Sequence, residues 1–230
     1  MRNNLKGLAL IIGLLCSTGA TAAGMVPETS LLLVNEEDHG ASIDITNTDD
    51  QTQLLYSKIF NLPDDISGPD LIVTQPVVRV EAGKIQRVRV ILQDTPQKMK
   101  VEHFKRIIFS AIPQIEQNKV KMIFTQNIPV IIHPAGLEPM ADPWRLLTWS
   151  VKGGNVVVKN DTPYVVRLEQ TIKTLPSGNT QHLSKTYLLP GETLTATPNK
   201  QPASAADRQV EFYPATRYGY QVDKFIDQLK

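Results

Sequence analysis

Cysteine is nearly absent from this chain: the 230 residues contain one, Cys16, close to the amino terminus. It ends an apolar run, "LALIIGLLC", which follows the basic residues Arg2 and Lys6 and precedes the small residues "ATAA". A basic start, a short apolar run and small residues are typical of a cleaved secretory signal peptide, here residues 1–23. We therefore expect an exported protein without disulfides. The remaining chain, about 200 residues long, can bury a core without them.

A surplus of charge of either sign is also missing. The formal net charge is +1, and the first 23 residues hold two of the 24 Lys and Arg residues and none of the 23 Asp and Glu residues. The exported part is therefore almost neutral, which argues against binding to nucleic acid or to a membrane surface. The apolar run near the start is too short to cross a bilayer, so we expect no membrane insertion.

Catalytic motifs are lacking as well. The sequence has no G-x-S-x-G, no H-E-x-x-H and no glycine-rich phosphate loop. Four histidines are scattered without the spacing of metal ligands: His39, His103, His133 and His182. The acidic pairs at 49–50 and 64–65 lie in loop-like sequence, where turn formation and solubility explain them. We expect no enzyme activity, no cofactor and no bound metal.

Short strand-like segments fill most of the remaining chain. Some alternate apolar and polar residues as half-buried strands do, for example "ASIDITN" at 41–47 and "IQRVRVIL" at 85–92. Turn-rich segments such as "NLPDDISGPD" separate them. Strand-like segments therefore recur about every 8–15 residues, a spacing typical of antiparallel β-sandwiches. The predicted fold class is all-β.

A break in the strand pattern divides the chain. "HPAGLEPMADP", residues 133–143, contains three prolines and little periodicity, and strand-like segments resume after it. We predict a first domain at residues 24–133, a linker at 134–143 and a second domain at 144–230, with two β-sandwiches meeting at an angle. The last ten residues, "QVDKFIDQLK", fit a strand or a short helix equally well.

The segment "TQNIPVIIHP" at 125–134 has an unusual feature for a strand. Its residues are apolar and β-branched, but Pro129 lies in its interior. Proline cannot donate a hydrogen bond to a β-ladder, so we expect this strand at a sheet edge or at a bulge.

Five motifs occur in a fixed order along the chain. The first half contains "GPDLIVTQPVVRVEAGKIQRVRV" at 68–90, "FKRIIFSAIP" at 104–113 and "VIIHPAGL" at 130–137. The second half contains "GGNVVVKNDTPYVVRL" at 153–168 and "YLLPGETLT" at 187–195. With these motifs the chain resembles the periplasmic pilus chaperones of the chaperone–usher pathway, the PapD-like family.

The resemblance implies a fold and a function. The fold is two immunoglobulin-like β-sandwich domains joined at an angle, located in the periplasm. The function is chaperone activity in fimbrium biogenesis, pilus assembly and cell wall organization: the protein stabilises a pilus subunit by donor-strand complementation and delivers it to an outer-membrane usher. Neither ATP nor a cofactor is implied.

Residues 119–132 correspond to the strand that this family donates, called G1. Val120, Met122 and Phe124 alternate with polar residues, so they would present apolar side chains on one face of that strand. The alternative is that these side chains pack into the core of their own domain, as in any sandwich. The resemblance favours contact with the subunit.

Two cations of the family's interdomain cleft are replaced here. Related chaperones hold the subunit's C-terminal carboxylate with an arginine and a lysine, and alignment of the motifs puts Leu31 and Pro129 at these positions. Because a buried carboxylate without a paired donor is costly, either another group replaces the pair or the anchor differs. Gln126, Asn127 and Arg167 are the polar candidates nearby.

A charge cluster that joins the two domains in this family is also altered. Glu102 keeps the acidic position, His133 stands in place of a basic residue, and Arg217 occupies an acidic position. We expect Arg217 to pair with Glu102 and His133 to have a weaker role. The alternative is that all three are solvated groups, each worth less than about 1 kcal/mol.

Two other functions fit parts of the sequence. A structural pilin or adhesin would share immunoglobulin-like domains, but it should have a donor-strand extension, and few residues lie between the expected cleavage site and "TSLLLV". A periplasmic enzyme or sugar-binding module is disfavoured by the missing catalytic groups. The sequence leaves open the cognate subunit, the fimbrial type and whether the free protein self-associates.

Overall fold

The computed structural model describes residues 24–66, 68–94, 98–112 and 123–230. These residues form strands, turns and two short 3₁₀ turns, Glu36–Asp38 and Pro143–Leu146. The predicted all-β fold with two domains is confirmed. Within the described part of the chain, no helix is long and apolar enough to cross a membrane.

The first domain is one hydrogen-bonded sheet that folds over its own core. Its strand order is β5-β7-β3-β2-β9-β8-β4-β6, and β1 pairs with β3. The strands are β1 (Met25–Pro27), β2 (Leu32–Asn35), β3 (Gly40–Asn47), β4 (Gln53–Asn61), β5 (Leu71–Val73), β6 (Val77–Val80), β7 (Ile85–Leu92), β8 (His103–Ile112) and β9 (Thr125–His133).

Strand β2 links the two layers of this domain. It pairs with β3 only at Asn35 and Gly40, and otherwise runs parallel to residues 130–133 of β9. Residues 125–129 of β9 pair with β8 alone among the described strands. That part of β9 is a free sheet edge.

Pro129 lies at the boundary between the covered and the free parts of β9. It is buried and stands opposite Arg106 of β8, and the pairing with β2 begins at the next residue, Val130. Pro129, which has no N–H to donate, therefore lies where β9 pairs with β8 alone among the described strands. Proline is tolerated at such edge positions.

A second proline, Pro76, lies within the apolar and β-branched segment at residues 71–80. The structure contains two strands there, β5 paired with β7 and β6 paired with β4. Pro76 in the break has no N–H, and its carbonyl accepts a hydrogen bond from the Ser57 N–H at 2.8 Å. The chain thus crosses from one layer of the sandwich to the other at this proline.

The second domain contains three smaller sheets. Their strand orders are β10-β11-β16, β15-β12-β19 and β17-β14-β13-β18-β20. The strands are β10 (Thr148–Lys152), β11 (Asn155–Lys159), β12 (Val166–Leu168), β13 (Thr171–Leu175), β14 (Thr180–His182), β15 (Tyr187–Leu188), β16 (Thr193–Thr195), β17 (Thr197–Pro198), β18 (Gln209–Phe212), β19 (Pro214–Ala215) and β20 (Phe225–Gln228). The last segment is therefore a strand, paired with β18.

Each domain has its own apolar core, and the alternation of side chains along the strands builds it. Ile43 and Ile45 on β3 and Val88 and Val90 on β7 are buried in the first core. In the second core the rings of Trp149 and Phe212 lie 4.8 Å apart.

A third apolar cluster, here called the interdomain cluster, joins the two domains. Its buried members are Leu31, Phe104 and Ile131 from the first domain and Val165 and Leu189 from the second. Strand geometry explains the division: successive residues of β9 point to opposite faces, so Ile131 enters this cluster while its neighbours enter the first core.

Replacing Phe104 with alanine is expected to weaken the contact between the domains. The ring is 2% exposed and its centroid lies 4.8 Å from that of Tyr187, so its removal should lower the free energy of unfolding by about 3–5 kcal/mol. Urea unfolding followed by tryptophan fluorescence measures this change. Phe60→Ala, on the exposed face of β4, is the matched control and should change stability by no more than about 0.5 kcal/mol. Equal effects of the two variants would contradict a role for the cluster.

Candidate functional site

The free edge of β9 is the first part of the candidate site. No described strand covers residues 125–129 on the side away from β8. Phe124 directly precedes β9 and is 46% exposed, and Ile123 beside it is 50% exposed. A free edge next to large exposed apolar side chains is a surface that readily accepts a further strand. Val120 and Met122, predicted on the same face as Phe124, lie outside the described residues.

Apolar side chains continue from this edge across the neighbouring strands. Ile112, at the end of β8, is exposed and pairs with the exposed Leu54 of β4. In the next row Tyr56 pairs with the exposed Val77 of β6. The outer face of β8, β4 and β6 therefore extends the apolar surface that begins at the free edge.

Arg106 lies on β8 at the opening of the interdomain cleft. It is two residues from Phe104 and therefore on the same face of the strand. Its Nε donates a hydrogen bond to Asn127 Oδ1 at 2.8 Å, and its Nη2 donates to the Asn127 carbonyl. Burial lowers the pKa of the Arg106 guanidinium. Asn127, a candidate anchor from the sequence, thus holds Arg106, and Gln126 lies on the opposite face of β9.

Arg167 approaches the same region from the second domain. It lies on β12 between Tyr187 and Ala215 of the adjoining strands. Its Nη1 is buried and has no hydrogen-bond partner in the described part of the chain. Burial, and then the positive charge of Arg106, lowers the pKa of Arg167. The charge of Arg106 therefore disfavours the charged form of Arg167. A cavity of about 310 Å³ beside Arg167 is lined by residues of the second domain, Glu169 among them.

The two positions that align with the family's cation pair are apolar and buried. Leu31 is 5% exposed and belongs to the interdomain cluster. Pro129 stands directly opposite Arg106 in the β8–β9 register. A positive charge therefore lies on the strand next to the substituted position. Two half-buried cations without a described acidic partner form a site suited to an anion.

The structure brings Glu102, His133 and Arg217 together at the domain junction. Glu102 Oε1 lies 2.8 Å from His133 Nδ1 and 4.0 Å from Arg217 Nη2. All three side chains are at most 8% exposed, so the alternative of solvated surface groups does not hold. The expected order of contacts is reversed, because His133 makes the short contact and Arg217 the long one.

Glu102 also bonds directly to the backbone of the second domain. Its Oε2 accepts the Val165 N–H at 2.8 Å, and its own N–H donates to the Pro163 carbonyl at 2.8 Å. Arg217 is less completely paired: its Nε and Nη1 are buried and have no hydrogen-bond partner among the described residues. Glu102 therefore fixes the backbone of the second domain as well as balancing two basic side chains.

A second polar contact between the domains was not foreseen from the sequence. Asp64 forms an ion pair with Lys185 and accepts hydrogen bonds from the Tyr187 hydroxyl at 3.0 Å. Burial opposes ionisation of Asp64, but the hydrogen bonds from Lys185 and Tyr187 keep its pKa below the usual value. Burial, together with Asp64, raises the pKa of Tyr187. The interpretation of this acidic pair as turn and solubility residues is wrong for both members, because Asp65 is 6% exposed and accepts the Phe104 N–H at 2.6 Å.

Comparison with known proteins identifies the family. Residues 24–138 match the sequence model described as "Pili and flagellar-assembly chaperone, PapD N-terminal domain", and residues 142–226 match "Pili assembly chaperone PapD, C-terminal domain". The chain belongs to the PapD-like family of pilus-assembly chaperones. A relative from Escherichia coli K12, described as "Uncharacterized fimbrial chaperone YhcA", is 44% identical over 229 residues, 98% of this chain and 100% of the relative. Proteins of this family assemble pili and are not enzymes.

Solved structures of other chaperones share the fold. A chain of "Salmonella enterica SafA pilin in complex with the SafB chaperone" has a TM-score of 0.72 and 17% identity, covering 91% of this chain and 98% of that chain. The structure of the Escherichia coli chaperone DraB has a TM-score of 0.71 and 18% identity, covering 90% of this chain and 99% of that chain. A chain of the CsuC–CsuE complex from Acinetobacter baumannii has a TM-score of 0.61 and 17% identity, covering 89% of this chain and 97% of that chain. At these identities the likeness shows the two-domain fold.

Reversing the charge of Glu102 tests the contact between the domains of this chaperone. Glu102→Lys puts a cation beside His133 and Arg217 and removes the acceptor for the Val165 N–H, so the free energy of unfolding should fall by about 3–5 kcal/mol. Urea unfolding measures the change. Glu81→Lys, an exposed position directly after β6 in the first domain, is the control and should stay within about 0.5 kcal/mol of the wild type. Wild-type stability of Glu102→Lys would show that the buried cluster does not join the domains.

Proposed function

We propose that this chaperone works in the periplasm, binds pilus subunits through the free edge of β9 and delivers them to an outer-membrane usher. The observation that carries the proposal is the incomplete cover of β9, since β2 pairs only with residues 130–133. In donor-strand complementation such a strand is added to the incomplete sheet of the subunit. Backbone hydrogen bonds then supply affinity, and alternate side chains fill pockets of the subunit. Strand pairing and apolar burial need no ATP or cofactor.

The similar structures support a subunit as the partner. One of these structures contains SafA pilin with the SafB chaperone, and another contains CsuE, a tip adhesion subunit, with the CsuC chaperone. The expected signal peptide supports a periplasmic location. The family's role in pilus assembly supports a later transfer to an usher, because a bound subunit must leave the chaperone to enter the pilus.

Phe124→Lys tests capture at the free edge. The side chain is 46% exposed and directly precedes β9, so a charge there should weaken burial in a subunit groove without disturbing the first core. When chaperone and cognate subunit are produced together in the periplasm, we expect the wild type to co-purify with the subunit one to one. The variant should recover about tenfold less soluble subunit, a loss equivalent to about 1.4 kcal/mol.

Ile226→Lys is the matched control for this experiment. Ile226 is exposed to a similar extent, on β20 of the second domain, at 42%. The Ile226→Lys substitution should leave both the melting temperature and the recovery of soluble subunit unchanged. The proposal is contradicted if Ile226→Lys reduces recovery as much as Phe124→Lys, or if Phe124→Lys has no effect.

The second part of the proposed function concerns the C-terminal carboxylate of the subunit. Arg106 and Arg167 replace the absent cation pair and hold this carboxylate between the two domains. Arg106 is already oriented by its hydrogen bonds to Asn127, and Arg167 has an unpaired buried N–H donor. A carboxylate accepts hydrogen bonds from two guanidiniums, which are stronger than hydrogen bonds between neutral groups.

The electrostatics of the free protein favour this assignment. The pKa of each arginine is lowered, mainly by burial, and that of Arg167 also by the charge of Arg106. An anion between them would relieve the repulsion and satisfy the buried donor on Arg167. Leu31 and Pro129 contribute apolar surface at the same place, which strengthens a charge-assisted hydrogen bond by excluding water.

Single substitutions of the two arginines test the anchor. Arg106→Gln or Arg167→Gln should each weaken subunit binding by about 10–100-fold, the range for a lost hydrogen bond to a charged group. The measurement is a dissociation constant for the subunit with a free C-terminal carboxylate and for the same subunit with a C-terminal amide. The wild type should lose affinity for the amide, whereas the double arginine variant should bind both forms alike.

Arg89→Gln is the control for lost positive charge, because Arg89 is exposed on β7 away from the cleft. It should bind both forms of the subunit as the wild type does. If the arginine variants discriminate between carboxylate and amide as strongly as the wild type, another group is the anchor.

A further inference from the structure

Gln126 places a polar side chain in an apolar row of β9. Ile128, Val130 and Ile132 of this strand are buried in the first core. Successive residues of a strand point to opposite faces, so Gln126 belongs to the same row. The β8–β9 register agrees, because Gln126 stands opposite Phe109, which is 0% exposed and part of the first core. A carboxamide therefore extends a row that is otherwise apolar within β9.

The row leaves the first core at Gln126. Phe124, which continues the row and directly precedes β9, is 46% exposed, whereas Ile128 is 7% exposed. Gln126 lies between these two residues and is half-buried. It is therefore the innermost member of the row that a partner bound at the free edge can contact.

The carboxamide of Gln126 has no hydrogen-bond partner within the described part of the chain. Its neighbours Thr125 and Asn127 contact side chains of β8 at 3.0 and 2.8 Å, but they lie on the opposite face of β9. Phe109, across the ladder, has no polar side-chain atom. A glutamine side chain contains two N–H donors and a carbonyl acceptor, which solvent can satisfy in the free chaperone because the side chain is half-exposed.

Capture of a subunit at the free edge would remove this solvent. A strand of the subunit that pairs with residues 125–129 brings the subunit groove over the row of Phe124 and Gln126. A buried carboxamide without partners is costly, because its donors and its acceptor lose their hydrogen bonds to water. The subunit must therefore offer a hydrogen-bonding group to Gln126, or binding is weakened.

The charges nearby indicate that this group is neutral. Arg106 is held by Asn127 on the other face of the sheet, and Lys105, on the same face as Gln126, donates a hydrogen bond to Asn61 Oδ1 at 2.6 Å. A carboxylate in the groove opposite Gln126 would thus be buried without a cation beside it. A hydroxyl or a carboxamide carries no charge and can both donate and accept, as the side chain of Gln126 requires.

We propose that Gln126 is a specificity-determining residue, which selects pilus subunits whose groove presents a hydroxyl or carboxamide side chain opposite this position. The inference rests on the proposed function, since it assigns a chemistry to the groove that the free edge binds. An apolar residue at position 126 would accept any apolar groove, whereas glutamine adds a penalty for each groove that leaves its carboxamide unpaired. Recognition by a buried hydrogen bond discriminates more sharply than a change in the size of an apolar side chain.

Paired substitutions in the chaperone and the subunit test the assignment. The probes are the cognate subunit and a set of its variants, in which each hydroxyl or carboxamide side chain of the groove is replaced in turn by an apolar side chain of similar size. One of these variants should bind the wild-type chaperone about 10–100-fold more weakly, the range for a buried polar group left unpaired. Gln126→Leu should bind the unmodified subunit more weakly by a similar factor, and should regain affinity with that same subunit variant.

Gln209→Leu is the matched control for these measurements. Gln209 is half-buried on β18 of the second domain, and its side chain also has no hydrogen-bond partner among the described residues. The Gln209→Leu chaperone should bind every form of the subunit as the wild type does. Gln126→Leu should keep the melting temperature of the free chaperone, because leucine continues the apolar row. The proposal is overturned if Gln126→Leu binds the unmodified subunit as tightly as the wild type, or if no subunit variant restores its affinity.

Hydrogen exchange of the Gln126 carboxamide gives a readout in the wild-type complex. Its nitrogen-15 signals are identified by their absence from the spectrum of Gln126→Leu. The two N–H hydrogens should exchange rapidly with water in the free chaperone and at least about tenfold more slowly in the complex, because they are then bonded inside the groove. Exchange at the same rate in both states would overturn the proposal.

Phe124→Lys separates a failure of this proposal from a failure of the proposed function. If Phe124→Lys loses the subunit while Gln126→Leu binds all forms of the subunit as the wild type does, the free edge captures subunits and only the specificity assignment is wrong. If Phe124→Lys keeps the subunit and Gln126→Leu also binds as the wild type does, capture at the free edge is itself wrong.

Discussion

The parallel pairing between β2 and the last residues of β9 is the constraint on which the other features depend. Because this pairing covers only residues 130–133, the rest of β9 keeps a free edge. The same register places Ile132 in the first core and Ile131 in the interdomain cluster. A shift by one residue would exchange those two faces and remove the contact with the second domain. One strand register thus produces both the free edge of β9 and the contact between the domains.

The two cleft positions that align with the family's cation pair carry apolar surface in place of charge. Leu31 and Pro129 are buried, and Leu31 packs in the interdomain cluster, so apolar burial there stabilises the contact between domains. Two other cations, Arg106 and Arg167, lie on β8 and β12. Their charges oppose each other in the free protein, which lowers the pKa of Arg167 in addition to the effect of burial. An anion bound between them, as proposed, would remove this repulsion.

Much of the fold was predictable because strands leave a period of two in the sequence. Buried positions at Ile43, Ile45, Val88 and Val90 follow that alternation directly. The position of Pro129 at a free edge also followed from local chemistry, since a missing N–H restricts where proline can stand in a sheet.

The parts of the site that the sequence did not predict depend instead on contacts between distant segments. Asp64 bonds to side chains 121 and 123 residues away, and nothing in its local sequence distinguishes it from a turn residue. Arg106 was overlooked because it occupies an ordinary polar position of an alternating strand, and its role follows only from the register that sets it opposite Pro129.

Strand β8 carries the proposed anchor residue Arg106 and adjoins the domain junction. Glu102 immediately precedes the strand and binds the second domain, Phe104 enters the interdomain cluster, and Arg106 faces the cleft. These three residues are spaced by two, so they share one face of the chain. Arg167 belongs to the other domain, and the gap between the two arginines is therefore set by the angle between the domains. Contacts far from the free edge, at Glu102 and at Asp64, thus determine whether the two guanidiniums can bind one carboxylate together.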